Sequence, residues 1–176
     1  MAGARPFPKE KLILGLLYRD EELYSRVRPK LQGRFGPLEF ESPPLPFDYS
    51  DYYAEEMGEN LIRRLLSFER LVDPARLASI KVMTNRLEKR FSAAGRRRVN
   101  LDPGLLDLNR LVLATAKHSG HRIPLSKGIY AELTLHYRAK AFHPFPWTYP
   151  DYKSEVYQRI LLKMREKLRL QLKRRD

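Results

Sequence analysis

Three consecutive arginines, Arg96, Arg97 and Arg98, stand directly before Val99-Asn100-Leu101-Asp102. A guanidinium presents its N–H donors in a planar fork that fits phosphate or carboxylate, so this segment can hold an anion. Extended backbone would put Arg96, Arg98, Asn100 and Asp102 on one face and Arg97, Val99 and Leu101 on the other. Arg96, Arg98 and Asn100 are therefore candidate ligand-binding residues. Asp102 is a candidate acid or base that can also orient a neighbouring arginine. A strand edge kept soluble by charge would use the same residue types.

A second cationic group, Lys117, His118, His121 and Arg122, falls within six residues. Ser119-Gly120 between them can add backbone N–H groups to an anion-binding nest. Lys117, His121 and Arg122 are the candidate ligand contacts here. His121, a proton carrier near neutral pH, is the second catalytic candidate. Zinc at His118 and His121 would need further ligands from His136, His143 or carboxylates, because the chain has no cysteine. Asp48 and Asp51, in a tyrosine-rich acidic stretch, could hold Mg²⁺ beside a phosphate, the one cofactor suggested. That stretch could equally cover a basic cleft as an internal counter-charge. Phe142, Phe145, Trp147, Tyr149 and Tyr152, interleaved with proline, can stack a base or pin a loop to the core. Loops that leave strong signatures are missing: there is no G-x-x-x-x-G-K-[ST], no G-x-G-x-x-G, no G-x-S-x-G and no H-E-x-x-H.

The charge behind these clusters is uneven. The 176-residue chain carries +13, made of −3 over residues 1–60 and +16 over the remainder. Between Phe35 and Ile62 there are seven acidic side chains and no lysine or arginine. Such asymmetry attracts polyanions to one region and repels them from another. A solubilising surface accounts for the same counts. No apolar run is long enough to cross a bilayer as a helix, residues 1–8 do not read as a signal peptide, and a cytoplasmic location is the default.

The elements that must position these residues follow from the hydrophobic pattern. Residues 11–18 form a short apolar run suited to a strand buried on both faces. Asp20 caps a helix whose stripe is Leu23, Val27, Leu31 and Phe35. Pro29 should kink or divide this helix, and Gly33 and Gly36 should stop it. Residues 37–47 read as an edge strand and 61–72 as the next strand, joined by the acidic connection. Asp73 and Pro74 open a second helix with Leu77, Ile80, Thr84, Leu87 and Phe91 on one face, closed by Gly95. Residues 96–101 make a fourth strand, ended by the turn signal Asp102-Pro103-Gly104. This order, β-α-β-β-α-β over about residues 10–102, predicts an α+β fold with a ferredoxin-like core. Residues 105–117 fit helix or strand. A hairpin follows, 121–125 and 129–137 about Ser126-Lys127-Gly128, with Glu132 and Thr134 on a face free to line a site. Thr148, Pro150 and Asp151 open a terminal helix docked by Val156, Ile160, Met164, Leu168 and Leu172. Its other face carries Arg159, Lys163, Arg165, Lys167, Arg169, Lys173, Arg174 and Arg175. One extended domain is expected over 1–176.

Six segments, LILGLLYRDEEL, PFDYSDYYAEEMG, GRRRVNLDPG, LVLATAKHSGHRI, GIYAELTLHY and WTYPDYKS, together resemble a bacterial and archaeal domain-of-unknown-function family, number four-four-one-six. The resemblance covers about residues 11–157 and implies one family unit. Members of that family are sometimes labelled GTP-binding, and the resemblance brings no established catalytic residue with it.

Three functions are open to this sequence. It can bind a phosphate-bearing ligand, nucleotide or RNA, through Arg96, Arg98, Lys117, His121 and Arg122. It can be an enzyme on a phosphorylated small molecule, with Asp102 or His121 as acid or base. It can also be a non-catalytic module whose acidic loop and basic helix meet partners or a second copy in a homodimer.

Overall fold

The structure is a computed structural model, and it describes residues 3–174. Arg175 of the basic terminal run lies outside the described residues. Strand β1 (Glu10–Tyr18) is buried along its whole length, as a two-faced apolar run requires. Asp20 then accepts from the Leu23 N–H at 2.7 Å and starts α1 (Glu21–Phe35). Pro29 neither divides nor ends α1. Its position is exposed, where a carbonyl freed of its partner can face water. Gly33 lies inside the helix, and the stop is Gly36 at φ 96°.

The edge segment divides into β2 (Leu38–Glu41) and β3 (Leu45–Pro46), both paired to β4 (Ile62–Val72). The acidic connection between them holds a 3₁₀ turn, Asp51–Tyr53, and one helical turn, α2 (Ala54–Met57). Asp73 caps a 3₁₀ turn, Pro74–Arg76, that feeds α3 (Leu77–Phe91). Helix α3 ends at Phe91 with Ser92 as its cap, and Gly95 belongs to the next turn.

The largest departure from the sequence reading is at Asp102-Pro103-Gly104. These residues do not turn. They continue as strand β5 (Val99–Leu106), paired with β1 from Tyr18↔Val99 to Lys11↔Leu106. Pro103 is tolerated because β6 (Arg110–Thr115) pairs only with Gly104–Leu106, leaving the outer edge of residues 99–103 without a ladder. The ambiguous stretch 105–117 thus holds the end of β5, a turn at 107–109 and β6, and no helix. Strands β7 (Ile123–Ser126) and β8 (Ile129–Arg138) turn through Lys127 and Gly128, both at positive φ, as a two-residue hairpin asks. Strand β9 (Ala141–Pro144) completes a single antiparallel sheet in the order β2-β4-β1-β5-β6-β8-β7.

Both faces are covered. Even-numbered β1 residues pack with Leu23, Val27, Leu31 and Ile80, so α1 and α3 share one face. The other face is covered by α5 (Glu155–Lys173) through Tyr157, Leu161 and Met164. A separate short helix, α4 (Pro150–Lys153), precedes α5, which is capped by Ser154. Thr148 caps neither. Its hydroxyl accepts from Phe145 N–H at 2.8 Å and donates to the Thr134 carbonyl, tying residues 145–148 to β8. Val156 is 43% exposed and does not dock, because the buried stripe is carried instead by Tyr157, Ile160, Leu161, Met164 and Leu168. Among the described residues no helix is long and apolar enough to cross a membrane.

Candidate functional site

Where β5 and β6 part company, the sheet opens into a cleft of about 620 Å³, within the size range of small-molecule sites. What holds it open is a substitution of side chains for a strand. Leu101 lies on the unpaired edge of β5. Its N–H donates to Glu88 Oε1 at 2.7 Å, and its carbonyl accepts from Lys81 Nζ at 2.8 Å. Lys81 and Glu88 are seven residues apart on α3 and so lie on one side of that helix. Two backbone groups that β6 would otherwise have satisfied are paired without closing the gap, which answers the cost of leaving them buried and unmet.

Asp102 stands at the centre. Lys81 Nζ donates to its Oδ1 at 3.3 Å, Asn100 Nδ2 donates to its Oδ2 at 2.6 Å, and the Arg63 guanidinium is 3.6 Å away. Burial pushes this carboxyl up, but Lys81 and Arg63 outweigh it and hold the group below the ordinary aspartate value. Arg63 itself is buried, 3.2 Å from Asp151 and over the Phe47 ring at 5.0 Å. The space for it comes from Gly15: a Cβ there would sit 3.0 Å from both the Arg63 guanidinium and the Tyr152 hydroxyl. Asp151 is pushed up by burial more than Arg63 pulls it down.

Glu88 takes the opposite direction from Asp102. Burial raises it from 4.5 to about 6, against the pull of Lys81 and its bond from Leu101 N–H. A carboxyl raised on folding makes its full contribution below its unfolded value, and loses it as pH climbs through the folded value. Wild-type stability relative to Glu88→Gln is thus expected to fall by about 1.5 kcal/mol between pH 4.5 and pH 6.5, at up to about 1.4 kcal/mol per unit. Urea unfolding of both proteins across that range checks this, and a flat difference would contradict it. Glutamine keeps the acceptor for Leu101, so the comparison isolates the charge.

The aromatic wall is Phe47, Tyr49, Tyr52 and Tyr53 from the acidic connection, faced by Tyr149. Two cations reach the mouth: Lys89 and Lys117 line the cleft yet are exposed, and neither has a carboxylate partner among the described residues. Lys117 Nζ sits 3.7 Å from the Tyr52 ring centre.

The structure brings together some of the sequence-derived candidates and separates others. Asn100, Asp102 and Lys117 line the cleft. Arg96 and Arg98 do not, and the alternation that put them beside Asn100 fails because β5 begins only at Val99. Arg96 sits in the turn before it, bridged to Ala93, and Arg98 is exposed, 3.7 Å from Asp20. The middle arginine turns inward instead. Arg97 donates to Asn100 Oδ1 at 2.9 Å and grips Glu56 with its Nε and Nη2. His121 and Arg122 are absent from the lining because both are spent on Glu132 Oε2, at 2.9 and 2.8 Å. Glu132 does line the cleft. Asp102 and His121 therefore do not converge on one space, and Asp48 and Asp51 are exposed outside the lining. Among the described residues no group of three or more His, Asp or Glu side chains is placed to hold a metal ion.

Most of the aromatic segment pins rather than lines. Phe145, Trp147 and His121 stack in series, with centroids 5.0 and 4.9 Å apart, and Trp147 Nε1 donates to the Leu133 carbonyl. Phe142 is core, while Tyr149 and Tyr152 line the cleft. Arg63, Lys81 and Glu88 are not singled out by the sequence, and Arg97 enters it only as the member of the arginine triplet on the opposite face. The one available signal was a polar pair, Lys81 and Glu88, each directly after an apolar stripe residue, Ile80 and Leu87.

Fold and site together define a mixed α+β protein on one antiparallel sheet that splits into a ligand-sized cleft. The chain belongs to the family described as Domain of unknown function (DUF4416), whose model matches residues 8–168. No curated protein and no solved structure matches it.

Proposed function

We propose that the cleft binds a phosphate-bearing ligand of nucleotide size, its ring among the tyrosines and its phosphate at the mouth. One observation carries this reading: two lysines without carboxylate partners, Lys89 and Lys117, stand at the opening of an aromatic-walled cavity. The interior cations are already matched, Arg63 by Asp151, Lys81 by Asp102 and Arg97 by Glu56. A matched interior suits a neutral ring, since an added buried charge would go unpaired there. The unmatched mouth suits the anion.

Replacing Lys89 and Lys117 with alanine is then expected to lower affinity for ribonucleoside monophosphates about 10-fold per lysine, a loss of about 1.4 kcal/mol each. Calorimetric titration reads this, with Lys163→Ala on α5 as a charge control that leaves affinity unchanged. Equal affinity in the double variant and the wild type would overturn the reading.

The same proposal includes the scaffold. The strand order β2-β4-β1-β5, with α1 and α3 on one face, supports reading the first half as a ferredoxin-like β-α-β-β-α-β unit. Strands β6 to β9 extend its sheet, and the cleft lies at the junction.

A further inference from the structure

Beside the cleft lies a second depression, of about 430 Å³, with a different lining: Arg19, Arg96, Arg97 and Arg98, with Asp20, Glu55 and Glu56 among them. Among the described residues none that lines it is aromatic. Asp20 and Glu56 are already engaged, by Arg98 at 3.7 Å and by Arg97, and Glu55 is exposed at the rim, whereas Arg19 and Arg96 have no carboxylate partner among the described residues and leave the lining cationic. The two spaces share a wall. The turn after α3 gives Ser92 and Gly95 to the cleft and Ala93, Arg96 and Arg98 to the depression, and Arg97 lines both. A chain leaving the cleft over this turn meets the outer arginines directly.

We infer that the ligand is a single-stranded oligonucleotide, one of whose nucleotides enters the cleft while the adjoining phosphodiester backbone runs over Arg19, Arg96 and Arg98. This rests on the nucleotide reading of the cleft and assigns the second depression to the same ligand. The chemistry divides between the two spaces as single-strand recognition divides it: aromatic surfaces take bases, and arginines without aromatic neighbours take phosphates.

The test uses the full chain, the four ribonucleoside monophosphates and a mixed-sequence five-nucleotide RNA, titrated at two salt concentrations. The RNA is expected to bind at least about 10-fold more tightly than any monophosphate. Arg19→Ala/Arg96→Ala/Arg98→Ala should bring the RNA down to monophosphate affinity and leave monophosphate binding unchanged. Its salt dependence should flatten by about two released counterions or more, at about 0.7 per single-strand phosphate contact. Unaltered RNA binding in the triple variant, or equal affinities for RNA and monophosphate in the wild type, would overturn the inference while the cleft reading stands. Failure of every monophosphate to bind would overturn both. Circular dichroism of the triple variant distinguishes lost contacts from lost fold, and Arg96→Glu alone should reproduce the RNA-specific loss.

Discussion

Arg63→Ala is expected to destabilise the protein by about 3–5 kcal/mol, the cost of breaking a buried ion pair from one side. Its guanidinium is the cation nearest Asp151, and both side chains are buried, at 4% and 5% exposure. Without it Asp151 keeps its burial and loses its counter-charge, while Asp102 retains Lys81. Phe47 would also lose the cation stacked on its ring. The pH dependence has a definite sign. Asp151 is already raised, and removing Arg63 raises it further, so the variant is least impaired where this carboxyl is protonated and worsens as pH climbs. Urea unfolding at pH 4 and pH 7 should show the smaller deficit at pH 4. The double variant Arg63→Met/Asp151→Leu should recover part of the loss, because an apolar pair leaves no orphaned charge. A single-variant deficit below about 1 kcal/mol would contradict the network described.

Gly104→Ala is the second large effect, at about 1–3 kcal/mol for overpacking. A Cβ at residue 104 would lie 2.7 Å from Leu113 Cδ2 and 2.8 Å from the Val112 carbonyl oxygen. The leucine side chain can rotate away, but the carbonyl belongs to the partner strand and moves only with it. The β5–β6 ladder is short, Gly104↔Leu113 to Leu106↔Leu111, so there is little pairing to absorb the shift. Widening this hinge would also widen the cleft, and ligand affinity should fall along with stability. Thermal unfolding and amide exchange at residues 104–106 measure the two consequences. A change within about 0.5 kcal/mol, with unaltered exchange, would mean that the split is not fixed at Gly104.

The legible parts of the sequence were those in which periodicity and local chemistry agree. Leu23, Val27, Leu31 and Phe35 mark α1 and all are buried. Gly128 turns the hairpin as its residue type allows, and the two-residue loop carries Lys127 into positive φ with it. Asp102-Pro103-Gly104 is where they disagree. Locally it is a turn, yet β1 offers a ladder through all three residues, and tertiary pairing overrides the local preference. Once the strand is drawn eight residues long with one edge partly free, the proline and glycine have roles: one needs no donor there, and the other lets β6 come close. The arginine triplet failed for a related reason. Alternation holds only inside a strand, and all three arginines precede it, so the arginine facing Asn100 is Arg97 rather than its neighbours.

Face assignment in β8 shows the same limit. Leu111 pairs with Leu135, but Val112 pairs with Leu133, so Thr134 is an extra residue that reverses the alternation. Glu132 and Leu135 consequently face the same side although they are three positions apart. No strict period-two reading could place both. Lys81 and Glu88 were hidden differently. On α3 alone they are ordinary charged flanks of an apolar stripe, and their partners belong to a strand about twenty and thirteen residues away.

The ligand proposed for the cleft between β5 and β6 is nucleotide-sized and carries a phosphate. Titrating the ¹⁵N-labelled protein with each ribonucleoside monophosphate, and mapping the amide shifts, tests this most directly. Saturable shifts are expected for at least one of them, clustered at Tyr52, Tyr53, Asn100, Asp102, Lys117 and Tyr149. No shift with any monophosphate, or shifts confined to the basic face of α5 at Arg159 and Lys163, would contradict the proposal.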